Sequence, residues 1–173
     1  PFVSVSGAIK PCAVTLSKIA NDLRLMSSGP RAGFHEINLP AKQNGSSIMP
    51  GKVNPVMAEM TMQCAIKVIA NDTAITMAAA HGEFELNAFM PLIADSLLES
   101  LELMTSSVQL FREKCIEPLQ VNEKNCRKYL EASSAFAASY VPALGYDQVS
   151  RIIRDCSPEE AVKELKKCLE QKE

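Results

Sequence analysis

After Pro55 the chain runs VMAEMTMQCAIKVIANDTAITMAAA, a stretch free of proline and glycine in which apolar and small residues fall on nearly every face of a helix. A helix that is apolar all round has to be buried on most of its sides. A second such segment follows the His81-Gly82 stop and runs from about Leu92 to Cys115. Its residues Leu97, Leu98, Leu101, Met104, Val108 and Phe111 form a wide apolar stripe that Pro118 ends. Each segment is about 24 residues, or roughly 36 Å at the helical rise, which exceeds what a small monomeric bundle needs. The pattern predicts an all-α chain whose long helices belong to a shared, oligomeric bundle.

Upstream, Val14, Leu16, Ile19, Ala20, Leu23 and Met26 recur at helical spacing, and Pro11 suits the first turn of that helix. Ser28-Gly29-Pro30 stops it. Residues 30 to 55 then carry four of the ten prolines and three of the seven glycines, so they read as loop, with a short element around Glu36 to Leu39. Irregular segments beyond about 12 to 15 residues inside compact domains are usually functional or disordered.

Near Pro118 the long apolar helices give way to shorter, more charged pieces, which predicts a central portion over 1–120 and a small helical C-terminal domain over 121–173. Asn122 can cap a helix through about Glu131, and Gly145-Tyr146-Asp147 is a turn before QVSRIIRDC. Ser157-Pro158-Glu159-Glu160 is a capping box with proline at the first helical position. Ala161, Val162, Leu165 and Leu169 form the inner stripe of the last helix. No alternating strand pattern is evident.

With 47% hydrophobic residues and a net charge of -2, the chain has the composition of globular units and lacks a basic footprint for nucleic acid or a polybasic membrane patch. No apolar run reaches the roughly 18 to 20 residues of a spanning helix, and the expected location is the cytoplasm. The six cysteines are scattered and form no CxxC pair, so they read as free thiols. Beside them stand only His35 and His81, and no metal site is assigned. Because the chain opens on Pro1 and soon enters a helix, it reads as a piece of something longer.

The loop itself contains GSSIMPGKVNP, residues 45 to 55: two adjacent hydroxyls, a Pro-Gly turn, a fixed positive charge and an amide before a proline. Lys52 and Asn54 suit a carboxylate, and the N-terminus of the helix after Pro55 adds donors and positive potential. A plain turn with helix caps fits the same residues.

GSSIMPGKVNP matches the signature G-S-S-x-M-P-x-K-x-N-P, and the likeness continues through KIANDLRLMSSGPRAGFHEINLP before it and NDTAITMAAAHGEFELN after it. On these residues the chain resembles the fumarase/aspartase superfamily over most of 5 to 120, and GYDQVSRI resembles the small C-terminal helical domain of its fumarase and aspartate ammonia-lyase branch. The resemblance implies a homotetramer built on a central bundle of long helices, with active sites shared between subunits and a small dicarboxylate substrate. The implied reaction is anti elimination through an aci-carboxylate to give fumarate. SSGPRAG, EINLP and KVNPVMAE look more like the aspartate ammonia-lyase branch, with L-aspartate as substrate; fumarate hydratase is the alternative, and a non-catalytic oligomerisation module is another.

Carried over by position within a catalytic loop at about 44–55, Ser46 is the implied base, with Ser47 the neighbour that could be confused with it. Lys52 and Asn54 are implied to hold the carboxylate on which charge develops, helped by backbone amides along Ser46, Ser47, Ile48 and Met49. Glu59 matches a glutamate that supports an active-site histidine from another subunit, and a structural salt bridge is its other reading. No cofactor is expected, and divalent-cation activation is left open. The superfamily's two other conserved regions are absent from these residues, so the chain alone is expected not to turn over.

Plainer readings stand for the remaining residues. His81 is a last-turn residue favoured by the helix dipole, with Gly82 as its left-handed stop. His35 and Arg31 receive no binding role. Met57, Met60, Met62 and Met77 are core filler, while Asn71-Asp72 and Glu85-Asn87 are polar breaks without an assigned function.

Overall fold

A computed structural model describes residues 1–171 of the chain. Three long helices make the first of two units, Pro1–Val121, and the second begins at Asn122. The helices are α1 (Phe2–Met26), α2 (Val56–Ala80) and α3 (Met90–Phe111), the last running on into a single π turn over Arg112–Ile116.

On α2 the buried positions include Ala58, Thr61, Ala65, Val68, Asp72 and Ile75, alternately three and four apart, which is the repeat of a coiled-coil seam. α1 buries Ser6, Ala13 and Ala20, one residue every heptad. Small side chains at these points let the two helices approach closely. Ala13, Ala65, Val68 and Met104 share one core, Ala20, Ala58, Phe111 and Cys115 a second, and Ile75, Ala78 and Ile93 a third. The order of these cores along the chain makes each neighbouring pair antiparallel, with α2 between α1 and α3.

Pro11 does not open α1 as the sequence suggests; the helix starts at Phe2 and Pro11 lies inside it. An interior proline costs about 3 kcal/mol through the lost donor and the clash with the carbonyl four residues back. That carbonyl belongs to Gly7, whose backbone is free to tilt, and the flanking Ser6, Lys10 and Ala13 are all held against α2 or the shared core.

The polar breaks in α2 are interhelix contacts. Ser6 Oγ donates to Asp72 Oδ1 at 2.7 Å and Lys10 Nζ to Asp72 Oδ2 at 2.7 Å. The Asn71 amide lies 2.8 Å from Glu99 Oε2 and 3.2 Å from Ser100 Oγ, and Lys67 pairs with the same Glu99 at 3.1 Å. Buried polar groups require such partners, and these give α2 a fixed register on both neighbours. Outside the seam, Ile66 and Met77 of α2 and Leu98 of α3 stay at least 60% exposed. The second apolar face read from the sequence is therefore present and uncovered within one chain.

Between α2 and α3, His81 Nδ1 lies 2.6 Å from the Met77 carbonyl, as a last-turn histidine should. Gly82 is not in the left-handed region; Phe84 takes the positive φ, at 50°. The stop comes instead from Asn87, whose amide donates to the Ala78 carbonyl at 3.1 Å while its Oδ1 accepts from Phe89 N–H at 2.8 Å.

The long connection from α1 to α2 is anchored at one point by a two-residue strand, β1 (Ile37–Asn38), paired antiparallel with β2 (Gln120–Val121). Ile37 is buried and faces Val121 in register. The short element expected at Glu36 to Leu39 is this strand, too brief to leave an alternating pattern.

In the second unit α4 (Glu123–Ala132) is capped by Asn122, and a 3-10 turn (Ala135–Tyr140) leads through α5 (Val141–Leu144) to α6 (Tyr146–Asp155) and α7 (Pro158–Glu170). Ala137, Leu144, Val149 and Leu165 are its buried core. The capping box at Ser157 is complete: Ser157 N–H donates to Glu160 Oε2 at 3.0 Å, and the Ser157 hydroxyl and backbone amide together hold the Glu160 carboxyl below its usual range.

Candidate functional site

The loop 44–55 closes on itself before it enters α2. Gly45 N–H donates to the Lys52 carbonyl at 3.0 Å, and Lys52 N–H to the Met49 carbonyl at 3.3 Å. The Asn54 amide Nδ2 donates to the Gly45 carbonyl at 2.8 Å. These bonds draw the two ends of the signature together and leave its tip in solvent, where Ile48 is 84% exposed. Gly45 is required by this closure, since a Cβ there would lie 2.2 Å from the Lys52 carbonyl oxygen. Gly51, at φ 77°, makes the turn.

Ser46 and Ser47 differ sharply. Ser46 is partly buried, and its Oγ accepts from Ile48 N–H at 3.2 Å and from Met49 N–H at 3.1 Å. Two backbone donors on one hydroxyl oxygen favour negative charge there. Ser47 is exposed. The sequence therefore offered two serines, and the fold sets only the first within a nest of amides.

Behind the loop lies a cleft of about 590 Å³. Its walls are the end of α1 (Asn21, Arg24, Leu25), the turn Ser27 to Pro30, the segment His35 to Leu39 around β1, and Gly51, Lys52, Val53 and Pro55. Of the loop residues to which the resemblance gives a role, Ser46, Ser47, Ile48, Met49, Lys52 and Asn54, Lys52 alone lines it among the described residues. Arg24 and His35 add positive or titratable donors, and among the described residues no aspartate or glutamate lines the walls. Such a cleft suits a small anion.

Glu59, in the first turn of α2, meets Arg24: Oε1 lies 3.5 Å from Arg24 Nη2. Of its two readings, the salt bridge is the arrangement within this chain. Among the described residues no group of three or more His, Cys, Asp or Glu side chains is clustered to hold a metal ion, and no helix is long and apolar enough to cross a membrane.

A family model described as Lyase matches residues 1–70, a span that contains α1, the whole loop and the start of α2. An aspartate ammonia-lyase of Bacillus subtilis is 47% identical over 154 residues, 89% of this chain and 32% of that protein. One of Pseudomonas fluorescens is 51% identical over 153 residues, 88% of this chain and 32% of that protein. Among solved structures, a fumarate lyase:delta crystallin of Brucella melitensis, bound to cobalt, has a TM-score of 0.83 at 45% identity, covering 94% of this chain and 36% of that one. On these matches the chain is similar to lyases of the fumarase/aspartase superfamily. A class II fumarase of Schistosoma mansoni shares the fold as well, with a TM-score of 0.87 at 36% identity over 95% of this chain and 36% of that one. The chain spans about a third of the length of the curated relatives it matches.

The matched span takes in the whole loop with its paired hydroxyls. It also draws attention to a residue that sequence reasoning passed over. Arg24 is the charged residue closing the last turn of an otherwise largely apolar stretch, and it reaches both the cleft and the base of the superfamily's signature loop. The signal for it was a cation three residues before the SSGP stop, readable as a dipole partner but not as a neighbour of Glu59.

Proposed function

We propose that this chain supplies the catalytic-loop portion of an aspartate ammonia-lyase, which eliminates ammonia from L-aspartate to give fumarate. The observation that carries the reading is the closed loop 44–55, with Ser46 inside a nest of amides and Lys52 on a cleft whose lining, among the described residues, includes no acidic side chain. The curated relatives at 46–51% identity supply the choice of aspartate.

In this reading Ser46 is the base. Its alkoxide, stabilised by the Ile48 and Met49 amides, takes the proton from the carbon beside a carboxylate. Lys52 neutralises the charge that passes onto that carboxylate in the aci form, and ammonia then departs from the neighbouring carbon with the electron pair of its bond. Interactions that strengthen as this charge develops lower the barrier rather than merely tightening substrate binding. Asn54 acts on the loop itself, by tying Gly45, and is assigned with Lys52 to the carboxylate on which charge develops. Ser47 and the amides along Ser46 to Met49 border the same carboxylate, and Glu59 supports the site from the start of α2.

The uncovered apolar face of α1 to α3 supports assembly as a homotetramer with active sites shared between subunits. The cytoplasm is the compartment this reading takes, with a small dicarboxylate as the partner and no cofactor assigned.

Absorbance of fumarate formed from L-aspartate and from L-malate, offered in parallel to the full-length protein, tests the reading. Release from aspartate supports it. Release from malate alone would replace it with fumarate hydratase, the reading that the likeness to the class II fumarase favours, and no release from either would remove both.

A further inference from the structure

We propose that Asn44 is a site of spontaneous deamidation and that the bonds around Gly45 restrain it, so that Asn44 is converted to aspartyl and isoaspartyl forms when the loop stands open. The chemistry is independent of the aspartate reading; only its effect on turnover rests on that reading.

Asn44-Gly45 is the one Asn-Gly step in the chain. Asn44 is exposed, lies outside any helix or strand, and among the described residues its side chain makes no hydrogen bond. Its carboxamide is therefore free to turn onto the peptide nitrogen that follows. Gly45 has no side chain to block that approach. The closure of the loop itself demands glycine there, because a Cβ would lie 2.2 Å from the Lys52 carbonyl oxygen. The vulnerable step is thus a consequence of how the loop closes.

In the reaction the Gly45 nitrogen gives its proton to solvent, and its electron pair attacks Asn44 Cγ. The bond from Cγ to Nδ2 breaks with its pair on nitrogen, which takes a proton from water and leaves as ammonia. A five-membered succinimide remains, and water opens it in either of two ways. Attack at Cγ restores the ordinary chain with an aspartate. Attack at the main-chain carbonyl carbon leaves the chain running through Cβ and Cγ as isoaspartate. Both products add a carboxylate beside Gly45, and the second also adds an atom to the backbone.

The closed loop opposes the first step. Gly45 N–H donates to the Lys52 carbonyl at 3.0 Å, and the Gly45 carbonyl accepts from Asn54 Nδ2 at 2.8 Å. Gly45 is pinned through both of its backbone groups, and the nitrogen that must attack is occupied as a donor. These bonds have to open before it can lose its proton and turn, so the rate follows the population of open loop. Asn54 gives a contrast within the same loop. Pro55 follows it and has no N–H, so no succinimide forms through that nitrogen.

The test incubates the full-length protein at neutral pH and physiological temperature and cleaves samples with trypsin over time. Cleavage after Lys42 and Lys52 releases residues 43–52, in which Asn44 is the only asparagine. The mass and retention of that peptide count the aspartyl and isoaspartyl products, and a synthetic peptide of residues 43–52 gives the unrestrained rate. Asn44 in the folded protein is expected to convert about ten- to hundredfold more slowly than in the free peptide, the restraint that two hydrogen bonds supply. Asn54→Ala removes one of the two and should speed conversion by about two- to tenfold over wild type. Where Asn54→Ala does not fold, Asn54→Asp is read instead, since a carboxylate cannot donate to the Gly45 carbonyl. No product after about ten half-lives of the free peptide, conversion as fast as in that peptide, or an Asn54 variant no faster than wild type overturns the proposal. Turnover, read as a fraction of each preparation's own starting value, should fall with conversion in wild type and hold in Asn44→Gln. Conversion at Asn44 with turnover unchanged supports the deamidation site and counts against the catalytic-loop reading, so the two failures are told apart.

Discussion

The Asn54 side-chain amide donates to the Gly45 carbonyl at 2.8 Å, across the two ends of the signature loop. With Gly45 N–H on the Lys52 carbonyl at 3.0 Å, this makes a small clasp that fixes where Lys52 departs from the backbone. The clasp is possible only because residue 45 has no Cβ.

Gly45→Ala would place a methyl carbon 2.2 Å from the Lys52 carbonyl oxygen, a backbone atom that cannot swing aside. The clasp must open and Lys52 must shift. Misplacement of about 1 Å costs on the order of 100-fold in rate, so turnover by the full-length protein should fall by at least about that much. Gly51 is the control, because space around it is open and only its φ of 77° opposes a side chain. Gly51→Asn should retain most activity, since asparagine tolerates that region. Steady-state kinetics of the two variants check this, and similar losses in both would refute the clasp.

Ser46→Ala removes the oxygen that accepts from the Ile48 and Met49 amides. If that oxygen is the base, kcat falls by about a thousandfold or more while the Kd for fumarate stays within a few fold. Ser47→Ala, at the exposed neighbour, should change kcat by less than about tenfold. Equal losses at both serines would move the base off Ser46.

The long helices were legible in the chain because proline and glycine mark their ends and nothing interrupts 56 to 80. The loop was legible by its length and its signature, and the cap at Ser157 by four consecutive residues. What escaped depends on residues distant in sequence. Pro11 sits mid-helix because contacts with α2, more than sixty positions away, hold the flanking turns. Arg24 meets Glu59 only once the bundle forms. Gly82 looked like a left-handed stop, yet Asn87 closes α2 from the far side of the turn.

Asp72 links pH to the stability of the bundle. The Lys10 ammonium and then the Ser6 hydroxyl hold its carboxyl below the ordinary aspartate range, against the opposing effect of burial. A depressed folded pKa adds stability that is complete above the unfolded value, near 3.9, and is lost as pH falls through the folded value. Asp72→Asn should therefore cost about 1 to 3 kcal/mol at pH 7, because Lys10 loses its counter-ion and the amide must satisfy buried Ser6. The difference from wild type should shrink as pH falls below about 4. Urea unfolding at pH 7 and at pH 3 measures it, and a difference that grows on acidification would contradict the assignment.

Leu165 is fully buried against Ala137, Leu144 and Val149, in a unit whose other helices are short. So small a unit buries a modest share of its surface, and a single large core side chain carries much of its stability. Leu165→Ala should cost about 2 to 5 kcal/mol, comparable with the whole stability of a marginal domain. The loss should be confined to the residues from Asn122 onward, because none of the three cores of the helical bundle includes Leu165. Hydrogen exchange read segment by segment separates the cases. Faster exchange in α4, α6 and α7 with α1 to α3 unchanged is the expected result, and uniform acceleration through both units would show that they unfold together.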